Sequence, residues 1–107
     1  MSNMDNLRAE VAASVAAELE RANAANPPFH SAHEGMAVIC EEIWELGEEE
    51  AAVSELLTAL WACVRQNRPN PAILGNLEKA AINAACEAIQ VAAMCRKFRE
   101  LEGYGDE

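Results

Sequence analysis

All four prolines of the 107-residue chain fall in two clusters, Pro27-Pro28 and Pro69-Asn70-Pro71, and these limit where regular structure can run. Proline has no N–H to donate, fixes its own φ, and drives the residue before it out of helical geometry. A helix at the start of the chain must therefore end by Asn26, and the next must end before Pro69. Between these points apolar residues recur at helical spacing. Leu7, Val11, Val15, Leu19 and Ala22 predict an amphipathic helix over 4–25. Ser31-Ala32-His33-Glu34 reads as a capping box, with the Ser31 hydroxyl accepting from the Glu34 N–H and the Glu34 carboxylate reaching back, and it sets the start of a second helix.

That second helix runs through a glutamate-rich stretch to Gly47. The "EEEAA" that follows is a strong helix former, so Gly47 either ends the helix or lies within a longer one. Val53, Leu56, Leu57, Leu60, Trp61 and Val64 carry an apolar face on to about Asn67. Asn70 and Pro71 suit the cap and first position of a last helix. Gly75-Asn76 marks a candidate break in it, and Gly103 stands in the usual place after a helix end. The expected fold is all-α: one domain over 1–107, an antiparallel bundle of about four helices near 4–25, 31–47, 49–67 and 71–102. The tail 103–107 is expected to fray, and no internal repeat or low-complexity tract is present.

The composition agrees with a helical globular protein, at 51% hydrophobic and 24% charged residues with only five glycines. The net charge of −10 argues against a binder that tracks nucleic-acid phosphates, which needs clustered Lys and Arg. It leaves room for a nucleotide if divalent metal sits between the two sets of negative charge. Cys40, Cys63, Cys86 and Cys95 lack metal or disulfide spacing and lie in helical patterns, so they are expected as unpaired core thiols of a cytoplasmic protein. No segment has the apolar length of a membrane span or the pattern of a signal peptide.

Residues 41–50 hold six glutamates, and this density fits either a solvated helix face or a cluster of metal-binding carboxylates. On a helical wheel Glu42, Glu45 and Glu49 gather on one flank, at i, i+3 and i+7. The last helix bears on the choice. "AAINAACEAIQVAAMCRKF" is apolar nearly all round and should be the most buried helix, yet it carries one polar stripe, Asn83, Glu87 and Gln90. A buried carboxylate requires a proton, a cation or a metal ion. The stripe fits a bundle edge or a salt bridge as well as a ligand set. Two helices that offer carboxylates toward a bundle interior are a known way to hold divalent metal, and the all-oxygen donor set favours Mg²⁺ or Mn²⁺. Arg96, Lys97 and Arg99 follow the stripe. They are either phosphate-gripping cations or a favourable cluster at a helix C-terminus. Trp44 fits a stacking role on a base, or packing in a core or subunit interface.

"EEIWE" (Glu41, Glu42, Glu45), within "FHSAHEGMAVICEEIWEL", and "EAIQVAAMCRKF" together resemble the blocks of the MazG-like, all-α nucleoside triphosphate pyrophosphohydrolases. The resemblance covers about a third of the chain. It implies a MazG-like bundle that hydrolyses a nucleoside or deoxynucleoside triphosphate to the monophosphate and pyrophosphate, with Mg²⁺ (or Mn²⁺) as cofactor. By it, Glu42 and Glu45 are metal ligands, Glu41 lies in or beside the ligand set, and Glu87 answers to the first residue of the second motif as a further ligand. A triphosphate also needs cations, for which Lys97 and Arg96 are the candidates, with Trp44 the candidate to stack on its base. Gln90 stands where many members have Asp. It can offer metal a carbonyl oxygen but no charge, so a non-catalytic helical protein with a degraded site is the alternative. Apolar residues on more than one side of the middle helices further predict a homodimer or homotetramer.

Overall fold

The structure, a computed structural model, describes residues 2–105. Among them the chain forms three helices and no strand: α1 Asn3–Ala25, α2 Ala32–Arg65 and α3 Pro71–Phe98. The all-α class is as the sequence predicts, but the count is three, because Gly47 does not interrupt α2. The glycine costs an exposed helix about 1 kcal/mol. Strong helix formers flank it, and α2 packs along α3, so the loss is absorbed. Gly75-Asn76 likewise lies inside α3. Among the described residues no helix is long and apolar enough to cross a membrane.

The helix starts follow their local chemistry. Ser2 Oγ accepts from the Asp5 N–H at 3.1 Å to cap α1. Ser31 Oγ accepts from the Glu34 N–H at 3.1 Å to cap α2. The return arm of the expected capping box goes elsewhere, since the Glu34 carboxylate meets His30 Nδ1 at 3.0 Å. At the far end α3 stops at Phe98, four residues before its expected end, and the chain turns through Arg99–Gly105. Gly103 has φ +89° in that turn. Tyr104 comes back to lie edge-on to Phe98, with ring centroids 4.9 Å apart, so the start of the predicted tail is tied down. Asp106 and Glu107, the rest of that tail, lie outside the described residues.

Helix α3 is the centre of the molecule. It packs against both α1 and α2, which do not pack on each other. The buried residues concentrate at one end, where Val15 of α1, Phe29 of the first connection, Gly35 of α2 and Ala93 and Lys97 of α3 meet. Asn23 Nδ2 donates to Glu100 Oε1 at 3.1 Å and ties the end of α1 to the turn after α3. Gly35 has no substitute in this packing, because a Cβ there would lie 2.6 Å from Phe98 Cδ2. Beyond this end α2 and α3 continue as a two-helix hairpin, closed by the connection at 66–70. The hairpin leaves Ile43, Trp44, Leu57, Trp61, Leu74 and Ile82 exposed.

Of the four thiols, Cys40, Cys86 and Cys95 are exposed and Cys63 is half-buried. They are unpaired as expected but are not core residues. Cys40, Cys86 and Cys95 lie on exposed helix faces, while half-buried Cys63 is in register with the half-buried residues Val53, Leu56 and Leu60 of α2.

Candidate functional site

Glu42 and Glu45 stand one turn apart on the face of α2 that meets α3, and Glu87 faces them from α3. One carboxylate oxygen from each lies within 4.8 Å of the others, and all three residues are half-buried. Helical spacing brings the first two together, and the α2–α3 packing brings the third. Burial pushes the Glu42 carboxyl above its ordinary value, with further upward pressure from the charges of Glu45, Glu87, Glu41 and Glu18. Burial also raises Glu87, followed by the charge of Glu45, a side-chain hydrogen bond with Glu45, and the charges of Glu49 and Glu48. Partly desolvated like charges at this spacing disfavour full ionisation. Without a cation the cluster holds a proton more tightly than free glutamates do.

Gln90, one turn beyond Glu87, closes the cluster. Its amide is best satisfied with the NH₂ group toward the acids, where it donates to Glu42 Oε2 at 3.0 Å and to Glu87 Oε2 at 3.3 Å. An amide rotated by half a turn would put its carbonyl oxygen at the same place. The donor set suits a hard divalent cation. Its oxygens are from carboxylates and an amide, and the edge of an octahedron with ligands at about 2.1 Å is roughly 3 Å, close to the Gln90–Glu42 spacing.

A cleft of about 660 Å³ opens beside the cluster, bounded by Glu42 and Gln90 on one side and by the end of α1 and the 26–29 connection on the other. Lys97 lines it. This lysine is only 3% exposed, its Nζ stands 4.9 Å from the centroid of the Phe29 ring, and it makes no ion pair among the described residues. A buried ammonium without an anion is costly, and a face-on aromatic ring offsets only part of that cost. Its charge reaches Glu34, whose carboxyl lies below its ordinary value, chiefly through the hydrogen bond to His30 with Lys97 as the smallest contribution.

The structure therefore brings together Glu42, Glu45, Glu87 and Gln90, with Lys97 in the adjoining cleft. It separates the others. Glu41 is exposed beside the cluster and acts on Glu42 only through its charge. Arg96 does not line the cleft. Trp44 is 71% exposed and lines a shallow apolar depression with Cys40, Ile43 and Gly47, away from the cleft. A helical wheel already puts Trp44 some 200° from Glu42, because two residues turn a helix by that angle.

Two cleft residues were not singled out in the sequence. Arg21 lines the cleft and is held by Glu18, to which its Nε donates at 3.0 Å. Phe29 forms the cleft floor under Lys97. The signal for Phe29 was a lone aromatic directly after Pro27-Pro28, since an apolar ring in a connection must fold back onto something. Arg21 carried no such signal.

Comparison with protein-family models, with curated proteins and with solved structures found no match.

Proposed function

We propose that the chain is a divalent-metal-dependent pyrophosphohydrolase of nucleoside triphosphates. The observation that supports this best is the convergence of Glu42, Glu45 and Glu87 at the edge of a cleft that also holds a buried Lys97 with no ion pair among the described residues. Acids alone suit a solvated face, but acids at a cleft shared with a cation that has no anionic partner among the described residues suit a ligand that carries both metal and anionic oxygens. A metal–polyphosphate has that composition, and it is what the MazG-like motifs imply.

The reaction is attack of water on the α-phosphorus, with the α–β anhydride bond breaking to give a monophosphate and pyrophosphate. Glu42, Glu45 and Glu87 would hold Mg²⁺ or Mn²⁺, which when bound offsets phosphate charge and acidifies water. Lys97 neutralises a phosphate group across the cleft, with the Phe29 ring beneath its ammonium. Arg21 supplies a second cation if Glu18 releases it. Gln90 sets the positions of the Glu42 and Glu87 oxygens through its amide. Glu41 adds negative charge beside the ligands without touching them.

A second reading has one observation in its favour. The Gln90 NH₂ satisfies two of the acids without metal, which would suit a non-catalytic helical protein with the same ancestry. Pyrophosphate release from a panel of ribo- and deoxyribonucleoside triphosphates, with and without Mg²⁺ or Mn²⁺, separates the two. The enzyme reading expects metal-dependent pyrophosphate, and not orthophosphate, from at least one substrate. Release no greater than that of Glu45→Gln under all conditions would defeat it.

A further inference from the structure

Helix α2 buries one face against α3 and meets no other helix, yet its opposite face is apolar as well. Cys40, Gly47, Ser54 and Trp61 recur every seven residues along it. Met36, Ile43, Glu50, Leu57 and Val64 recur in step with them, offset alternately by three and four. All nine are exposed. This alternation is the seam of a coiled coil, in which two rows of side chains face a partner helix. The adjoining row, Ala37, Trp44, Ala51 and Thr58, is exposed and uncharged too. From Met36 to Val64, Glu50 is the sole charge in the three rows.

The surface of the chain says how much is left to cover. A compact monomer of this mass exposes about 5,800 Å², whereas this chain exposes 7713 Å². Its radius of gyration is 17.7 Å, against about 13 Å for a compact domain of the same length. The excess, on the order of 1,900 Å², is ample for a stable two-fold interface, which takes roughly 800 Å² or more from each partner.

We propose that the α2 seam docks against the same seam of a second copy, with the two α2 helices antiparallel and the two-fold axis near residue 52. Antiparallel packing sets one row against the other. Cys40 of one copy then faces Val64 of the other, Gly47 faces Leu57, Glu50 faces Ser54, and Ile43 faces Trp61. Three of these four pairings put a small residue opposite a larger one, as close packing needs. The Ser54 hydroxyl donates to the Glu50 carboxylate, so the one charge on the seam has a partner. Parallel packing would put each residue on itself. Trp61 would meet Trp61 and Gly47 would leave a gap against Gly47. The antiparallel arrangement also opposes the two helix dipoles and brings Arg65 of each copy toward the acidic start of the other α2. This interface lies across α2 from the acidic cleft, and it stands or falls independently of the chemistry proposed there.

Sedimentation of the full chain at micromolar concentration tests the occupant, and a cross-link tests the direction. The wild type is expected at twice the 11.6 kDa chain mass, and Leu57→Glu at the monomer mass with its helical circular dichroism retained. Under mild oxidation Val64→Cys is expected to form a covalent dimer, with the introduced thiol joined to Cys40 in the peptide map. Within one helix those positions are 24 residues, or about 36 Å, apart, so such a bond can form only between copies. A monomeric wild type, or a Leu57→Glu variant that stays dimeric, would overturn the proposal. So would a bond joining Cys40 to Cys40, or two introduced thiols to each other, since only parallel helices permit it. If Leu57→Glu fails to fold, the cross-link decides alone.

Discussion

The two ends of the molecule obey different rules. At the closed end three segments of chain meet. Val15, Phe29, Gly35 and Ala93 are buried there, and Phe98 is gripped by Phe29 on one side and Tyr104 on the other. At the open end only two helices run together, and a two-helix hairpin has no third element to cover its outer faces. Trp61, Leu57 and Leu74 are exposed as a result. The acidic cluster lies on the α2–α3 seam where the two ends join, and its cleft extends toward the closed end. Packing precision belongs where chemistry needs fixed positions, while the open end presents area.

The largest effect expected from this contrast is at the junction. Glu45→Gln or Glu87→Gln should lower pyrophosphate release by more than about 100-fold, the scale of losing a group that organises transition-state charge. If Mg²⁺ binds the wild type, its melting temperature should rise, a linkage worth about 2.7 kcal/mol at a hundred times Kd, and either variant should remove that rise. An unchanged rise in Glu87→Gln would remove Glu87 from the site. Lys97→Met should raise KM for the triphosphate about tenfold or more without lowering the melting temperature, because it keeps the apolar stem and deletes a buried charge. A lower melting temperature with KM unchanged would make Lys97 a packing residue only.

Stability should differ between the ends in the same way. Phe29→Ala should cost about 3–5 kcal/mol in denaturant unfolding. Leu74→Ala, at the open end, should cost less than about 1 kcal/mol, because its side chain is already half in water. Equal losses would mean that the open end is covered at the protein concentration used.

Gly35→Ala and Gly47→Ala make the smaller comparison. The first drives a methyl into Phe98 and should destabilise by about 1–3 kcal/mol. The second meets open space within one chain and should stabilise dilute monomer by about 0.5–1 kcal/mol. It should also weaken self-association, because in the proposed dimer Gly47 faces Leu57 of the other copy.

The smallest effect is in the pH dependence of the metal-free protein. Glu42 and Glu87 have folded-state values raised above 4.5. Their contribution is full below pH 4.5 and is lost as pH rises through the raised values. Glu34 has the opposite sign, since its lowered value contributes above pH 4.5 and is lost on acidification. It is exposed and weighs less. The metal-free melting temperature should therefore rise as the pH is lowered from neutral toward about 5, and Glu87→Gln should flatten the profile. Saturating Mg²⁺ should reverse the slope, because protons then compete with the ion.

Much of this was written in local sequence. The prolines at 27, 28, 69 and 71 place both connections, and Ser31 and Glu34 place the start of α2, because turns and caps depend on a few adjacent residues. The flank shared by Glu42 and Glu45 follows from helical spacing alone. The stripe that pairs Glu87 with Gln90 was also legible, as the polar break in an apolar helix. Periodicity could not settle whether Gly47 breaks α2, since a cost of about 1 kcal/mol is decided by what packs alongside. Nor could it show that Cys40 and Cys86 face outward, because a small apolar residue reads the same on a covered face and an uncovered one. Only the tertiary structure set Glu87 within reach of Glu42 and Glu45, and put Lys97 Nζ over the Phe29 ring with no ion pair among the described residues. Those facts depend on which helix meets which face, and that choice is made by the summed packing of residues far apart in the chain rather than by any short stretch of it.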